Sequence, residues 1–87
     1  MFYTYILFSE KTQKYYIGSC ENIDSRLVRH NAGATPSTKS GRPWSVVYSE
    51  IFETNSEALA REKHIKAMKS KIYIQKLIAN SVGCKNR

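Results

Sequence analysis

The sequence predicts a single small domain of the α+β class, with its elements in the order β-β-α-β-α-α. Two aromatic-rich segments, Phe2–Phe8 and Lys14–Ser19, are separated by a short polar stretch, which is typical of two strands joined by a tight turn. A capping box, Thr54-Asn55-Ser56-Glu57, marks the start of a long helix in the second half of the chain. With 87 residues, the chain buries only about 60–65% of its unfolded surface, so its core is small.

The first two strands are expected to be antiparallel, because the turn Ser9–Gln13 is too short for a crossover connection. Both faces of the first strand are apolar, which favours a central position in the sheet. Tyr16 and Gly18 share one face of the second strand, where the glycine is expected to leave room for a phosphate. Tyr5 joins that face if the loop has an even number of residues, and lies on the other face if the number is odd.

The next segment predicts a short helix followed by an irregular loop. Asn22 is a candidate N-cap, the helix ends near residue 31 or 32, and Gly33 fits the C′ position. Arg26 and His30 are four residues apart and flank the apolar stripe, so both border the core. Residues 34–43 have no periodicity and are expected to be the most mobile part of the chain.

The second half of the chain predicts a strand over Trp44–Phe52 and two helices. The helix opened by the capping box ends near residue 67 or 68, and Ser70 is a candidate cap for the last helix. Residues 1–80 then form one domain, with a frayed tail over 81–87. The side chains predicted to point inward on the first of these helices are Ala58, Leu59, Ile65 and Met68. The apolar residues of the last helix are Ile72, Tyr73, Ile74, Leu77 and Ile78.

The charge of the chain favours an anionic partner. Lys and Arg number 14 against 7 Asp and Glu, a net charge of +7, which suits nucleic acid first and an acidic membrane surface second. Positive charge that only keeps the protein soluble is the alternative. Cys20 and Cys84 are far apart without a Cys/His cluster, which argues against a zinc framework. No secretory segment or membrane span is evident, so a cytoplasmic setting is expected.

Several polar side chains border the predicted core and have two interpretations each. Glu62 lies beside the inward stripe of its helix, where an unpaired carboxylate is costly. An ion pair with Lys66, four residues later, is the structural interpretation, with Arg61 as another possible partner. A metal ligand or general base is the functional interpretation. Arg26 either lays its stem on apolar surface or clamps a phosphate, and His30 and the strand tyrosines also fit ordinary core positions.

Taken together, these residues resemble the GIY-YIG nuclease domain, in its small single-domain branch. Tyr16-Ile17-Gly18 matches the second signature, whereas Tyr3-Thr4-Tyr5 matches the first only in its last tyrosine. The resemblance runs from Tyr3 to about Ile78. Its other matches are Arg26 on the first helix, His30-Asn31 after it, Pro43-Trp44 before the third strand, and Arg61-Glu62 on the following helix.

The resemblance implies a three-stranded antiparallel sheet flanked by helices, and hydrolysis of DNA phosphodiester bonds. It implies one Mg²⁺ or Mn²⁺ ion held mainly by Glu62. Tyr5 would be the general base for the attacking water, with Tyr16 orienting it or sharing that task. Arg26 would neutralise the phosphate and His30 would assist. Because a free tyrosine has a pKa of about 10, cations would have to lower it for this role.

The sequence departs from the family pattern in ways that bear on substrate binding. Ser19 stands where many members have a lysine, and the family's late asparagine has no convincing match. Without a separate DNA-binding module, the domain is expected to grip its substrate itself or with a protein partner. The predicted substrate-binding residues are Gly18, Ser19, Lys39, Arg42, Lys66 and Lys69, with Lys63 and Lys71 as further cations.

The leading hypothesis is a monomeric, metal-dependent endonuclease of DNA repair or recombination that acts on branched, nicked or single-stranded DNA. One alternative is a non-catalytic nucleic-acid-binding module with the same fold. Another is a domain that docks to a protein through Trp44 and Tyr48. Whether Tyr5, Tyr16, Arg26 and Glu62 meet in one cleft discriminates between these hypotheses.

Overall fold

The computed structural model describes residues 1–82 as three strands, three α-helices and one short 3-10 helix. The observed order β-β-α-β-α-α confirms the predicted α+β class. Within residues 1–82, no helix is long and apolar enough to cross a membrane. The elements are β1 (Phe2–Ser9), β2 (Lys14–Cys20), α1 (Ile23–Asn31), the 3-10 helix (Pro36–Gly41), β3 (Trp44–Phe52), α2 (Asn55–Met68) and α3 (Lys71–Val82).

The sheet has β1 at its centre, antiparallel to both neighbours, in the order β2-β1-β3. Ser9 pairs with Lys14, which leaves Glu10–Gln13 as a loop with an even number of residues. Tyr5 therefore opposes Gly18, and Leu7 opposes Tyr16. Directly opposed residues point to the same side, so Tyr5, Gly18 and Tyr16 share one face of the sheet.

The sheet separates two apolar clusters. On the face of Tyr5, which we call the α1 face, the buried residues Leu7, Cys20 and Trp44 pack with Tyr5 against α1. On the opposite face, which we call the α2 face, Ile6 packs against α2 and α3. Tyr15 and Ile17 also lie in this second cluster, which confirms that they are packing residues. Any side chain of α2 must therefore pass an edge of the sheet to approach Tyr5.

The predicted helix ends are confirmed by their capping contacts. The Asn22 side chain accepts a hydrogen bond from Ser25 N (2.9 Å) in the first turn of α1, and Gly33 has φ +81 after its last turn. Thr54 and Glu57 form both bonds of the capping box on α2. Ser70 Oγ accepts from the backbone at the start of α3. α3 continues to Val82, and residues 83–87 of the predicted tail lie outside the described residues.

Two predictions of inward-facing side chains are wrong, because Leu59 and Met68 on α2 are 40% and 44% exposed. Among the apolar residues of α3, Ile72 is 65% exposed. Ala58 and Ile65, which lie seven residues apart, are the buried residues of α2. Because α2 meets the sheet along this narrow stripe, the apolar residues beside the stripe remain in solvent.

The segment 34–43, expected to be a mobile loop, is anchored by buried side chains. Thr38 is fully buried in the 3-10 helix, and its carbonyl accepts a hydrogen bond from Trp44 Nε1 (2.7 Å). Gly41 lies against the Trp44 ring, where a Cβ atom would overlap the indole. The side chain of Asn31 bonds to both backbone groups of Trp44. Packing of one tryptophan therefore orders the whole connection.

Candidate active site

A chain of hydrogen bonds on the α1 face joins Tyr5 to the 3-10 helix. The Tyr5 hydroxyl lies 3.1 Å from His30 Nε2, and His30 Nδ1 lies 2.8 Å from Thr38 Oγ1. The Thr38 hydroxyl donates to the Thr35 carbonyl (3.2 Å). A hydroxyl has one hydrogen, so His30 Nδ1 must donate to Thr38. The chain of bonds therefore places a proton on Nδ1, and in a neutral His30 the other nitrogen, Nε2, accepts from the Tyr5 hydroxyl.

The electrostatic surroundings agree with this proton arrangement. Burial lowers the pKa of His30, and the positive charges of Arg26 and Arg29 lower it further. Burial raises the pKa of Tyr5 to about 12, with a further increase from Tyr16 and an opposing effect of Arg26. The phenol of Tyr5 is thus protonated at neutral pH. Burial outweighs the lowering effect of Arg26, so Arg26 alone does not bring the pKa of Tyr5 below its ordinary value.

Tyr5 fills the space above Gly18. The side chain is 1% exposed, and a Cβ atom at position 18 would lie 2.6 Å from the Tyr5 hydroxyl. The expected room for a phosphate at Gly18 is therefore occupied by the phenol, and that expectation is wrong. Tyr16 is half-buried on the same face, with its ring centre 4.9 Å from that of His30.

A cleft of about 490 Å³ opens where β2 ends and α1 begins. Arg26 and Arg29 line it from α1, Glu21 lines it from the connection, and Leu59 lines it from α2. Within residues 1–82 the ion pairs are Arg61–Glu50 and Lys66–Glu62, so neither cleft arginine is paired with a carboxylate. Tyr5 is not among the lining residues. It contacts the cleft through Arg26, whose charge acts on its hydroxyl.

Glu62 approaches the same end of β2 from the opposite face of the sheet. Its Oε1 accepts a hydrogen bond from Ser19 Oγ (2.8 Å), and its Oε2 accepts from Lys66 Nζ (2.6 Å). Ser19 lines the cleft, so Glu62 borders the cleft through this serine. The i,i+4 pair with Lys66 confirms the structural interpretation of Glu62.

The five predicted catalytic residues therefore do not meet on one face. Tyr5, Tyr16, Arg26 and His30 lie on the α1 face, whereas Glu62 lies on the α2 face beyond the edge strand β2. The physical reason is the position of α2, which packs against Ile6 and Ser19 rather than against Tyr5. The two groups approach one another at the cleft, with Arg26 on one side and Ser19 on the other.

The described residues offer a limited donor set for a metal. No group of three His, Cys, Asp or Glu residues that could hold an ion occurs within positions 1–82. A metal here would depend on Glu62 as a single carboxylate ligand. Mg²⁺ is often held by one or two carboxylates while keeping several waters, so such a site fits this ion or Mn²⁺. The Lys66 ammonium group would have to move away from Glu62 Oε2 before this oxygen could bind a metal.

The remaining predicted substrate-binding residues lie in two other places. Arg42 Nε donates to the Lys39 carbonyl (2.9 Å), and both side chains lie beside Gly33. Gly33 follows the C-terminal end of α1, whereas the cleft opens at the N-terminal end of that helix, so this pair lies outside the cleft lining. Lys66 and Lys69 instead line a groove along β2, on the α2 face.

Arg61 has a structural partner of its own. Its guanidinium forms two hydrogen bonds of 3.0 Å to the two carboxylate oxygens of Glu50 on β3, and Tyr48 donates to the same carboxylate. Arg61 is therefore not the partner of Glu62. Trp44 is 7% exposed and the Tyr48 hydroxyl is engaged, so the hypothesis of a protein-docking surface at these two residues loses its support.

Two residues of the site were missed by sequence reasoning. Arg29 lies three positions after Arg26, a spacing that puts both on one side of a helix, so the signal was present. Thr38 gave no such signal, because it is a polar residue in a polar segment. Its burial depends on the packing of the 3-10 helix against Trp44.

Comparison with known proteins identifies a matching family model and related sequences. Residues 1–77 match the family model of the GIY-YIG catalytic domain. A UPF0213 protein of Staphylococcus saprophyticus is 46% identical over 52 residues, which cover 59% of this chain and 63% of the relative. The match thus spans less than two thirds of that relative. A UPF0213 protein of Staphylococcus haemolyticus is 42% identical over 65 residues, which cover 74% of this chain and 78% of the relative.

One solved structure has a similar fold. The solution NMR structure of a UPF0213 protein from Bacillus halodurans is 27% identical in sequence and superimposes with a TM-score of 0.56. The superposition covers 91% of this chain and 84% of that chain. It supports the same three-stranded sheet with flanking helices.

Proposed function

This chain belongs to the GIY-YIG catalytic domain family, and we propose that it is a metal-dependent endonuclease that hydrolyses phosphodiester bonds in DNA. Family membership supports a nuclease-type function and binding of nucleic acid. One observation carries the proposal: the arginine cleft at the end of β2 is lined by Arg26, whose charge acts on the Tyr5 hydroxyl, and by Ser19, which donates a hydrogen bond to Glu62. The net charge of +7 suits a polyanionic substrate.

Arg26 and Arg29 are the proposed phosphate-binding residues. Within residues 1–82 neither has a carboxylate partner, so both guanidinium groups are available to an anion. The first turn of α1 also borders the cleft, where the helix dipole favours negative charge. A guanidinium can form two parallel hydrogen bonds to a phosphate and stabilise the charge that develops during hydrolysis.

Tyr5 and His30 are proposed to act as one proton acceptor. Tyr5 takes a proton from the attacking water while it gives its own proton to His30 Nε2, which leaves an imidazolium. This path suits a phenol whose pKa is about 12 and a histidine kept neutral by burial. Because Tyr5 is 1% exposed, Arg26 must move toward the phosphate to admit the water. Tyr16 orients that water, as the resemblance implies.

Glu62 is the proposed ligand for one Mg²⁺ or Mn²⁺ ion. Ser19 holds Oε1 and orients the carboxylate, whereas Oε2 becomes available when Lys66 moves away. A bound divalent ion would supply Lewis-acid stabilisation of the leaving oxygen. Arg26 and the Tyr5–His30 pair would then act from the other side of the cleft.

We further propose that the substrate is branched, nicked or single-stranded DNA, met during repair or recombination by a monomeric cytoplasmic protein. The predicted contacts are to phosphates, which carry no sequence information. A cleft of this size accommodates one flexible strand more readily than a rigid duplex. Strand ends, gaps and branches provide such a strand.

A nicking assay tests the proposal. Wild-type protein is expected to cleave at least one substrate from a panel of single-stranded, nicked and branched DNA, and only with Mg²⁺ or Mn²⁺. Glu62→Ala should abolish cleavage, and Tyr5→Phe should slow it by about 100-fold. Lys76→Ala, an exposed position on α3 outside both the cleft and the groove, is the matched control. Absence of cleavage by wild type on every substrate, or full activity of Glu62→Ala, would sink the proposal.

The Glu62–Lys66 ion pair favours a second candidate function, a nucleic-acid-binding module without catalysis. In that case the carboxylate needs no metal and the lysine stays in place. This second function predicts DNA binding that weakens steeply with salt and is independent of divalent ions. It also predicts that no cleavage follows binding. Fluorescence anisotropy with labelled DNA, run beside the nicking assay, separates the two functions.

A further inference from the structure

A second groove, of about 260 Å³, lies on the α2 face between β2 and the junction of α2 with α3. Its apolar residues are Tyr15, Ile17, Ile65 and Ile74. Its cationic residues are Lys14, Lys66, Lys69 and Lys71. Among residues 1–82, the lining contains no carboxylate, so the charged side chains of the groove in this part of the chain are all positive. We call this feature the lysine groove.

The lysine groove and the arginine cleft follow the same edge strand. Tyr15 lines the groove and Ser19 lines the cleft, four positions further along β2. At about 3.3 Å per residue, these positions are about 13 Å apart. A flexible single strand of a few nucleotides is long enough to span this distance. A single backbone can therefore occupy both sites.

Lys66 belongs to both sites. It lines the groove, and its Nζ donates to Glu62 Oε2 at 2.6 Å. The Lys66 side chain is 48% exposed, against 17% for that of Glu62. An exposed ion pair of this kind contributes about 0–1 kcal/mol, so a nearby phosphate can compete for the ammonium group.

We propose that the lysine groove binds the phosphate backbone of DNA beside the cleavage position, and that Lys66 transfers from Glu62 to that backbone when DNA binds. The inference rests on the proposed function and adds the path of its substrate. Departure of Lys66 leaves Glu62 Oε2 available to a divalent ion. DNA binding therefore strengthens metal binding, and by thermodynamic reciprocity the metal strengthens DNA binding. The coupling would limit metal loading in the absence of substrate.

DNA binding without metal tests the groove. Fluorescence anisotropy of a labelled single strand in EDTA, over a series of salt concentrations, gives the slope of log affinity against log salt. Lys14→Ala and Lys69→Ala should each weaken binding and reduce the slope by about 0.7. Lys76→Ala, at an exposed position on α3, lies outside the groove and should leave the slope unchanged. Because Lys69 has φ +48, Lys69→Asn is a second variant that tolerates this backbone conformation.

If both groove variants bind DNA like Lys76→Ala, the groove assignment is overturned. A labelled polyglutamate peptide identifies the class of occupant. If it binds as tightly as DNA and depends on the same lysines, the groove is a general polyanion site and the DNA assignment is overturned.

Metal affinity tests the transfer of Lys66. Mn²⁺ binding, followed by electron paramagnetic resonance, should be about two- to fivefold tighter in Lys66→Met than in wild type, because the competing ammonium is gone. A single-stranded oligonucleotide should tighten Mn²⁺ binding in wild type and not in Lys66→Met. Mn²⁺ binding by Glu62→Ala with the same oligonucleotide measures the background of Mn²⁺ bound by the DNA itself. Equal Mn²⁺ affinity of wild type and Lys66→Met would overturn the transfer.

The outcomes separate this inference from the proposed function. If wild type cleaves no DNA but the groove variants lose affinity as expected, the nuclease proposal fails and the groove stands as a nucleic-acid-binding site. If cleavage occurs while the groove variants bind like the control, the groove inference alone is overturned.

Discussion

The position of the proton on the His30 ring depends on Thr38. The Thr38 hydroxyl donates its hydrogen to the Thr35 carbonyl, so it can only accept a hydrogen bond from His30 Nδ1. Thr38→Val has a similar volume but no acceptor, so we expect the imidazole proton to shift to Nε2, which would then donate to the Tyr5 hydroxyl and could no longer accept its proton. Cleavage should fall by about tenfold to hundredfold. Thr38→Ser keeps the acceptor and should remain near wild type in single-turnover rate. Equal losses in the two variants, with folding checked in urea, would contradict this role.

The dependence of cleavage on pH distinguishes His30 from an ionised Tyr5. The pKa of His30 lies below its ordinary value of 6.5, whereas that of Tyr5 is about 12. If neutral His30 receives the proton, the rate falls only as the pH drops below this ordinary value, and it stays level from about pH 7 to 9. A rate that rises tenfold per pH unit over that range would identify ionised Tyr5 as the base.

At the scale of residues, the sequence predicted which side chains form the candidate site better than it predicted the contacts that these side chains make. Strand alternation placed Tyr16 and Gly18 on one face, and the four-residue loop Glu10–Gln13 brought Tyr5 to the same face. The same pattern could not show that Tyr5 would fill the space over Gly18. That outcome depends on the side-chain direction across a strand pair, which local sequence does not specify.

At the scale of elements, capping residues predicted helix ends well because the cap and its helix are close in sequence. The inward stripe of α2 was less predictable. Leu59 and Met68 have the right periodicity, but the width of a buried stripe is decided by how closely the helix approaches the sheet. The 3-10 helix was missed for a similar reason, since its order comes from Trp44 rather than from its own residues.

Asn31 connects α1 to β3 and provides a prediction at this scale. Its Oδ1 accepts from Trp44 N (2.6 Å) and its Nδ2 donates to Trp44 O (3.2 Å). Asn31→Ala should lower the free energy of unfolding by about 1–3 kcal/mol, because both backbone groups lose a partner. Asn31→Asp keeps the acceptor but loses the donor, so its free energy of unfolding should lie between those of wild type and Asn31→Ala. Urea unfolding followed by Trp44 fluorescence measures this, and wild-type stability of Asn31→Ala would refute it.

At the scale of the whole molecule, the sheet divides the candidate chemistry into two halves. Tyr5, His30 and Arg26 lie on one face and Glu62 on the other, with Ser19 between them at the end of β2. The sequence could place Glu62 beside the inward stripe of α2. It could not show which face of the sheet that helix covers, because this depends on the path of the chain after β3.

The edge position of β2 has a consequence for behaviour in concentrated solution. Backbone groups on its outer side face no other strand of this sheet, and such edges tend to recruit strands from other molecules unless charges repel them. Lys14 begins β2, and Lys66, Lys69 and Lys71 lie beside it. The lysines proposed to hold DNA would therefore also protect against aggregation. Neutralising them is expected to reduce substrate affinity and colloidal stability together, so evolution would find it difficult to change one without the other.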